Sequence, residues 1–197
     1  GRIPDSVITL NSAFERCGSL VNPPNIGNNV GTMVGTFGWC YELTDAPTIP
    51  NSVTDMTYTF LGCNKLVNVH EISNNVTTMA FTFNGCTELE SIKIPKTLKG
   101  TDTYESTSKA VFSGCTELTQ ITLEEGLTII PHKLCAETPI TEITIPNSVK
   151  NIWGYAFQNC TSLENVNLGN AIVELNGVYD AFGSGGAFTG CTNLTSI

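Results

Sequence analysis

Positive charge and imidazole are both scarce in this 197-residue chain, where 9 Lys and Arg face 18 Asp and Glu and only two histidines occur. A net charge of −9 repels a phosphate backbone, which sets nucleic acid aside as a partner. Two histidines leave little material for a metal centre or for acid–base chemistry. No apolar run approaches the ~18 residues at which a segment reads as membrane-spanning, so no membrane insertion by this segment is expected. Charged residues make up 14% of the chain, too few for the Lys, Glu and Arg surface of a helix-rich domain. Thr, Asn and Ser take their place, with 27, 19 and 13 copies, a composition suited to short strands and turns.

The eight cysteines are the other departure, and their spacing explains them. Cys17, Cys40, Cys63 and Cys86 stand 23 residues apart, each three residues after Phe14, Phe37, Phe60 or Phe83. Leu20, Leu43, Leu66 and Leu89 follow each Cys by three. The frame Phe-x-x-Cys-x-x-Leu recurs at Phe112, Cys115, Leu118; at Phe157, Cys160, Leu163; and at Phe188, Cys191, Leu194. Early units step from Phe to Leu to Ile to Val to the next Phe by 6, 6, 4 and 7 residues; from Phe83 the steps become 6, 5, 4 and 8. Two subtypes of one repeat are thus joined, covering 1–83 and 84–197.

Three places depart from the frame. Cys135 takes a Phe slot, its unit is one residue short, and Thr138 stands where Cys is expected. Insertions fall at about 99–109 and 176–186, in the same segment of the unit, which predicts that both leave the array from one side. The triplets Ile92-Lys93-Ile94, Ile121-Thr122-Leu123, Ile143-Thr144-Ile145 and Val166-Asn167-Leu168 alternate apolar and polar and read as strands of about 3–5 residues. A unit of 23 residues cannot bury its own apolar face, so the units must stack.

The stretches Ile-Pro-Asn-Ser-Val (145–149), Tyr-Ala-Phe-Gln-Asn-Cys-Thr-Ser-Leu (155–163) and Ala-Phe-Thr-Gly-Cys-Thr-Asn-Leu (187–194) resemble the BspA-like leucine-rich repeats of the Treponema pallidum type. The first half, with Asn-Val-Thr-Thr-Met (75–79) leading into Thr-Phe-Asn-Gly-Cys (82–86), is similar to a sister repeat of bacterial surface proteins. The resemblance covers nearly the whole chain. It implies a leucine-rich-repeat solenoid of about eight stacked units, with a parallel sheet of short strands on one face and turns or 3₁₀ segments on the other. It also implies an extracellular or cell-surface protein engaged in adhesion, with no catalytic motif to carry over. The chain begins and ends within a repeat, which reads as a segment of a longer secreted protein.

Seven cysteines share one slot and should form a column of small buried side chains beside Phe and Leu, a role free Cys fills well. One or two disulfides within the column remain open, since neighbouring units fall within bridging distance. A metal is disfavoured because parallel side chains do not converge, and no cofactor is expected. His132 and Cys135 are three apart, but a Cys in a core Phe slot should be buried and inert. Candidate ligand-binding residues are Asp102 and Tyr104 in one insertion and Tyr179 and Asp180 in the other, because rigid scaffolds place recognition groups on loops. Lys93, Thr122, Thr144 and Asn167 are candidates on the outward face of the strands. Gly183-Ser184-Gly185-Gly186 reads as a flexible tether. The leading expectation is a non-catalytic module for a host or bacterial surface protein or glycan; a structural spacer and a glycan-recognising accessory of a larger enzyme are the alternatives.

Overall fold

The computed structural model describes the backbone of residues 1–99, 110–175, 178–180 and 183–197. Two parallel ladders run through the stacked units. The first lies just after each Leu anchor and contains β1 (Ser91–Ile94) paired with β2 (Gln120–Leu123). It continues as β4 (Glu142–Thr144) paired with β6 (Asn165–Asn167). The second contains β3 (Ile129–Ile130), β5 (Asn151–Ile152) and β7 (Glu174–Leu175), in that order; β3 and β5 lie five to six residues before the Phe slots at Cys135 and Phe157, and the second insertion separates β7 from Phe188. All of these pairings are parallel.

In the first half both ladders thin to single bridges, such as Asp45 with Asn68 and the series Thr9, Thr32, Asp55, Thr78. Along the first ladder Pro23, Pro24, Pro47 and Pro50 offer no N–H and limit its pairing. Between the ladders each Phe slot sits in a turn that is itself bonded to the next unit. The N–H groups of Leu10, Ser12, Phe14 and Arg16 donate to the carbonyls of Thr32, Val34, Thr36 and Gly38, and Met33, Gly35, Phe37 and Trp39 repeat the pattern one unit on. The side expected to hold turns or 3₁₀ segments is built of turns, and no helix occurs among the described residues.

The core is a set of columns. Phe37, Phe60, Phe83, Phe112 and Phe157 are fully buried, and rings stack with near-parallel planes from Phe14 to Phe112 at centroid spacings of 5.4–5.7 Å. Phe157 and Phe188 form a second stack at 5.0 Å. Such spacings exceed face-to-face contact, so the rings are offset, the arrangement their quadrupoles favour. Cys135 interrupts the column and is itself fully buried.

The cysteines do more than fill space. All eight are free thiols, and from Cys40 onward each ladder thiol donates to the carbonyl of the Phe slot in the unit before it. Cys40 donates to Phe14 O at 3.2 Å, Cys63 to Phe37 O at 3.1 Å, Cys86 to Phe60 O at 3.2 Å and Cys115 to Phe83 O at 3.0 Å. Cys160 finds Cys135 O at 2.9 Å and Cys191 finds Phe157 O at 3.0 Å. Cys17 is exposed. Thr138, in the vacated slot of the short unit, donates to Cys135 O at 2.7 Å and lies 3.5 Å from the Cys160 sulfur.

A parallel column, not legible in advance, is made by Thr36, Thr59 and Thr82. These fully buried threonines donate to Leu10 O, Met33 O and Met56 O at 2.8–2.9 Å. The second subtype replaces them with Val111, Leu134, Ala156 and Ala187, which need no acceptor. Every buried side-chain nitrogen or oxygen among the described residues has a partner.

Candidate binding surfaces

Strand alternation turns Ile92, Ile121, Ile143 and Val166 into the core and leaves Ser91, Lys93, Gln120, Thr122, Glu142, Thr144, Asn165 and Asn167 exposed. The candidates predicted on this face therefore stand in two registered pairs, Lys93 opposite Thr122 and Thr144 opposite Asn167. Asn167 Nδ2 donates to Thr144 Oγ1 at 3.4 Å.

Lys93, a candidate on the outward face, is engaged by two carboxylates. Its ammonium lies 2.6 Å from Glu124 Oε1 and 3.2 Å from Glu71 Oε1, forming a three-residue ion network across adjacent units. The bonds to Glu124 and Glu71 raise its pKa. Burial pushes the Glu124 carboxyl up, but hydrogen bonds from Lys93 and from the Lys96 N–H outweigh it and hold the group below its usual range. On the same face Asp45 is held low by donors from Thr44 at 2.7 Å and Asn68 at 2.8 Å. Beside the network is a shallow open depression of about 400 Å³ lined by His70, Glu71, Ser73 and Asn74 from one unit and Asn51 from its neighbour.

Asp102 and Tyr104 lie outside the described residues. Tyr179 and Asp180 fall in β8 (Val178–Asp180), which pairs antiparallel with β9 (Gly183–Gly185), so the glycine run read as a tether is one arm of a hairpin. The hairpin is seated on the array. A Cβ at Gly185 would lie 1.9 Å from Tyr155 Cε1, so only glycine lets the strand approach that ring. Tyr155 meets His132 edge-on at 5.5 Å, and His132 Nδ1 lies 2.7 Å from Gly154 O.

Cys135 is wholly enclosed and burial pushes its thiol pKa well up, as expected for a structural cysteine. Among the described residues no group of three His, Cys, Asp or Glu converges as metal ligands, and no helix is long and apolar enough to cross a membrane.

Parallel ladders, with no helix among the described residues, stacked at a 23-residue period with Phe, Cys and Leu columns inside, define a leucine-rich-repeat solenoid. The chain belongs to the BspA type leucine rich repeat family, whose model matches residues 2–104, 32–164 and 99–197. Members of that family are typically bacterial surface proteins. It is similar in structure to a leucine-rich repeat protein from Bacteroides ovatus ATCC 8483, with a TM-score of 0.51 and 20% identity over 100% of this chain and 65% of that one. It is also similar to a leucine rich cell surface protein from Faecalibacterium prausnitzii A2-165, with a TM-score of 0.51 and 26% identity over 92% of this chain and 43% of that one. The chain thus spans less than two thirds of either relative's length. No curated protein sequence matches it.

Proposed function

We propose that the protein is a non-catalytic adhesion module of a bacterial cell surface, and that its ligand lies along the exposed rows of the first ladder. The observation that carries this is the registered, outward array of Lys93, Thr122, Thr144 and Asn167 on a backbone held by bonds between units. Hydroxyl and amide groups at ~4.8 Å steps offer donors and acceptors to a protein backbone or a glycan without reorganising.

The test is a binding screen of the secreted chain against host-matrix proteins and glycans, followed by the triple variant Thr122→Ala, Thr144→Ala, Asn167→Ala on each hit. All three residues are exposed, so the variant should fold with an unchanged urea midpoint and lose roughly tenfold or more in affinity. Full affinity in the triple variant removes the sheet face as the site. The absence of any hit favours the spacer role instead.

A further inference from the structure

The turn side carries an arrangement that neither the repeat nor the core requires. Left-handed backbone recurs two residues after the Phe slot of every unit and two residues before it in six of them. The earlier position is occupied by Ser12, Gly35, Tyr58, Phe81, Lys133 and Tyr155, and the later one by Arg16, Trp39, Gly62, Gly85, Gly114, Glu137, Asn159 and Gly190, all with φ between 54° and 80°. Left-handed backbone costs a residue with a Cβ about 1–2 kcal/mol, and glycine avoids it. The fold accepts glycine at both positions, yet Trp39, Tyr58 and Phe81 place large rings there.

These rings are at the surface, Tyr58 at 41% exposure and Trp39 and Phe81 partly exposed. Tyr58 and Phe81 stack at 5.1 Å with planes 8° apart and form one flat apolar rail along the axis. Four residues further along the same turns, within about 14 Å of chain, run Gly62, Gly85 and Gly114, where a side chain on Gly85 or Gly114 would touch the Cα of the glycine before it at 3.4 Å. Trp39 closes one end: its indole lies against Gly62, 2.9 Å from where a Cβ would be, with the Arg16 guanidinium 5.0 Å from its ring. Beyond the glycines come the exposed Asn64 and Thr116 with the half-buried Thr87 between them, a rail of amide and hydroxyl groups.

We infer that this glycine-floored slot, with its aromatic rail, Trp39 end wall and polar rail, is a second binding surface that takes a neutral glycan. Sugar rings have an apolar C–H face and a hydroxyl edge. Tyr58, Phe81 and Trp39 match the face, while Asn64, Thr87 and Thr116 match the edge. Arg16, against the Trp39 end wall, is the one charged side chain named at the slot, and the protein's net charge of −9 disfavours an anionic polymer. The proposal rests on the reading of the chain as a binding module but uses a different face from the sheet.

The test uses native gels cast with a neutral β-glucan, α-mannan or galactan, and polygalacturonate as the anionic counter-probe. At least one neutral polymer should retard the wild type. Trp39→Gly and Tyr58→Ser place at each position a residue that the same position accepts in another unit, so both should fold at least as well as wild type by urea titration. Each should weaken retardation by roughly tenfold. In a Trp153→Phe background, the soluble oligosaccharide of that polymer should change the emission of Trp39. The triple sheet variant should be retarded like wild type, which separates failure of this site from failure of the sheet-face reading. No retardation by any neutral polymer, undiminished retardation in both variants, or equal retardation by polygalacturonate overturns the proposal.

Discussion

Glu137 occupies a left-handed position that four other units fill with Gly62, Gly85, Gly114 and Gly190. Its side chain accepts one exposed bond from Ser113 at 3.0 Å, which is worth little in water. Glu137→Gly should therefore stabilise the protein by about 1 kcal/mol, read as a raised urea midpoint at unchanged m-value.

The thiol column gives the opposite kind of prediction. Phe37 O accepts both the Cys40 N–H and the Cys63 thiol, so Cys63→Ala leaves the carbonyl half-paired beside a small void. A cost of about 1–2 kcal/mol is expected. Burial also pushes Cys63 and Cys115 up to about 12, and Cys40 to about 11, from an ordinary value of 9.0. A thiol whose folded pKa lies above its unfolded one contributes stability that is intact below the unfolded value and lost as pH rises through the folded one. The urea midpoint should hold to about pH 8.5 and then fall, each such thiol contributing about 1.4 kcal/mol per pH unit. Cys63→Ala should shallow that slope.

At the level of elements, the hairpin of β8 and β9 rests against Tyr155 through Gly185. Gly185→Ala should displace it from Tyr155, faster amide exchange at the Tyr155 N–H to Gly186 O bond reporting the loss. Tyr155→Ala in the same chain should restore slow exchange by making room.

That hairpin also marks where sequence reading stopped. Ile92, Ile121, Ile143 and Val166 alternate with polar residues, and one-faced burial makes such a period visible in a single unit. Gly183-Ser184-Gly185 carries no such period: it pairs with β8, and Gly185 approaches the ring of Tyr155, 30 positions away. The cysteines were legible as a column but not as donors, since a small buried side chain and a thiol aimed at a carbonyl leave the same spacing. Lys93 was legible as outward-facing; its capture by Glu71 and Glu124 depends on where a flexible side chain ends, which spacing does not record. The left-handed aromatics were hidden because Trp, Tyr and Phe read as core residues, and only their φ shows otherwise.

The whole molecule behaves as a stack of nearest neighbours, so position along the axis should govern the effect of equivalent substitutions. Leu66 is fully buried between units, while Leu20 near one end is only partly covered. Leu66→Ala should cost about 3 kcal/mol or more in global stability, as for other buried leucines. Leu20→Ala should cost about 1 kcal/mol or less and show itself mainly as faster amide exchange in the terminal unit.

The hydrogen bonds between units run along the stacking axis, from Leu10 to Thr32, Met33 to Asp55 and Met56 to Thr78. A load applied between the two ends therefore does not shear all of these bonds together; it peels them, one unit at a time. Each unit of 23 residues would release about 75–80 Å of chain. A surface protein built this way is a serial spring that lengthens under tension while its remaining units keep their shape. In single-molecule pulling, the trace should be a sawtooth with that increment, widened where the insertions lengthen the chain between one ladder and the next.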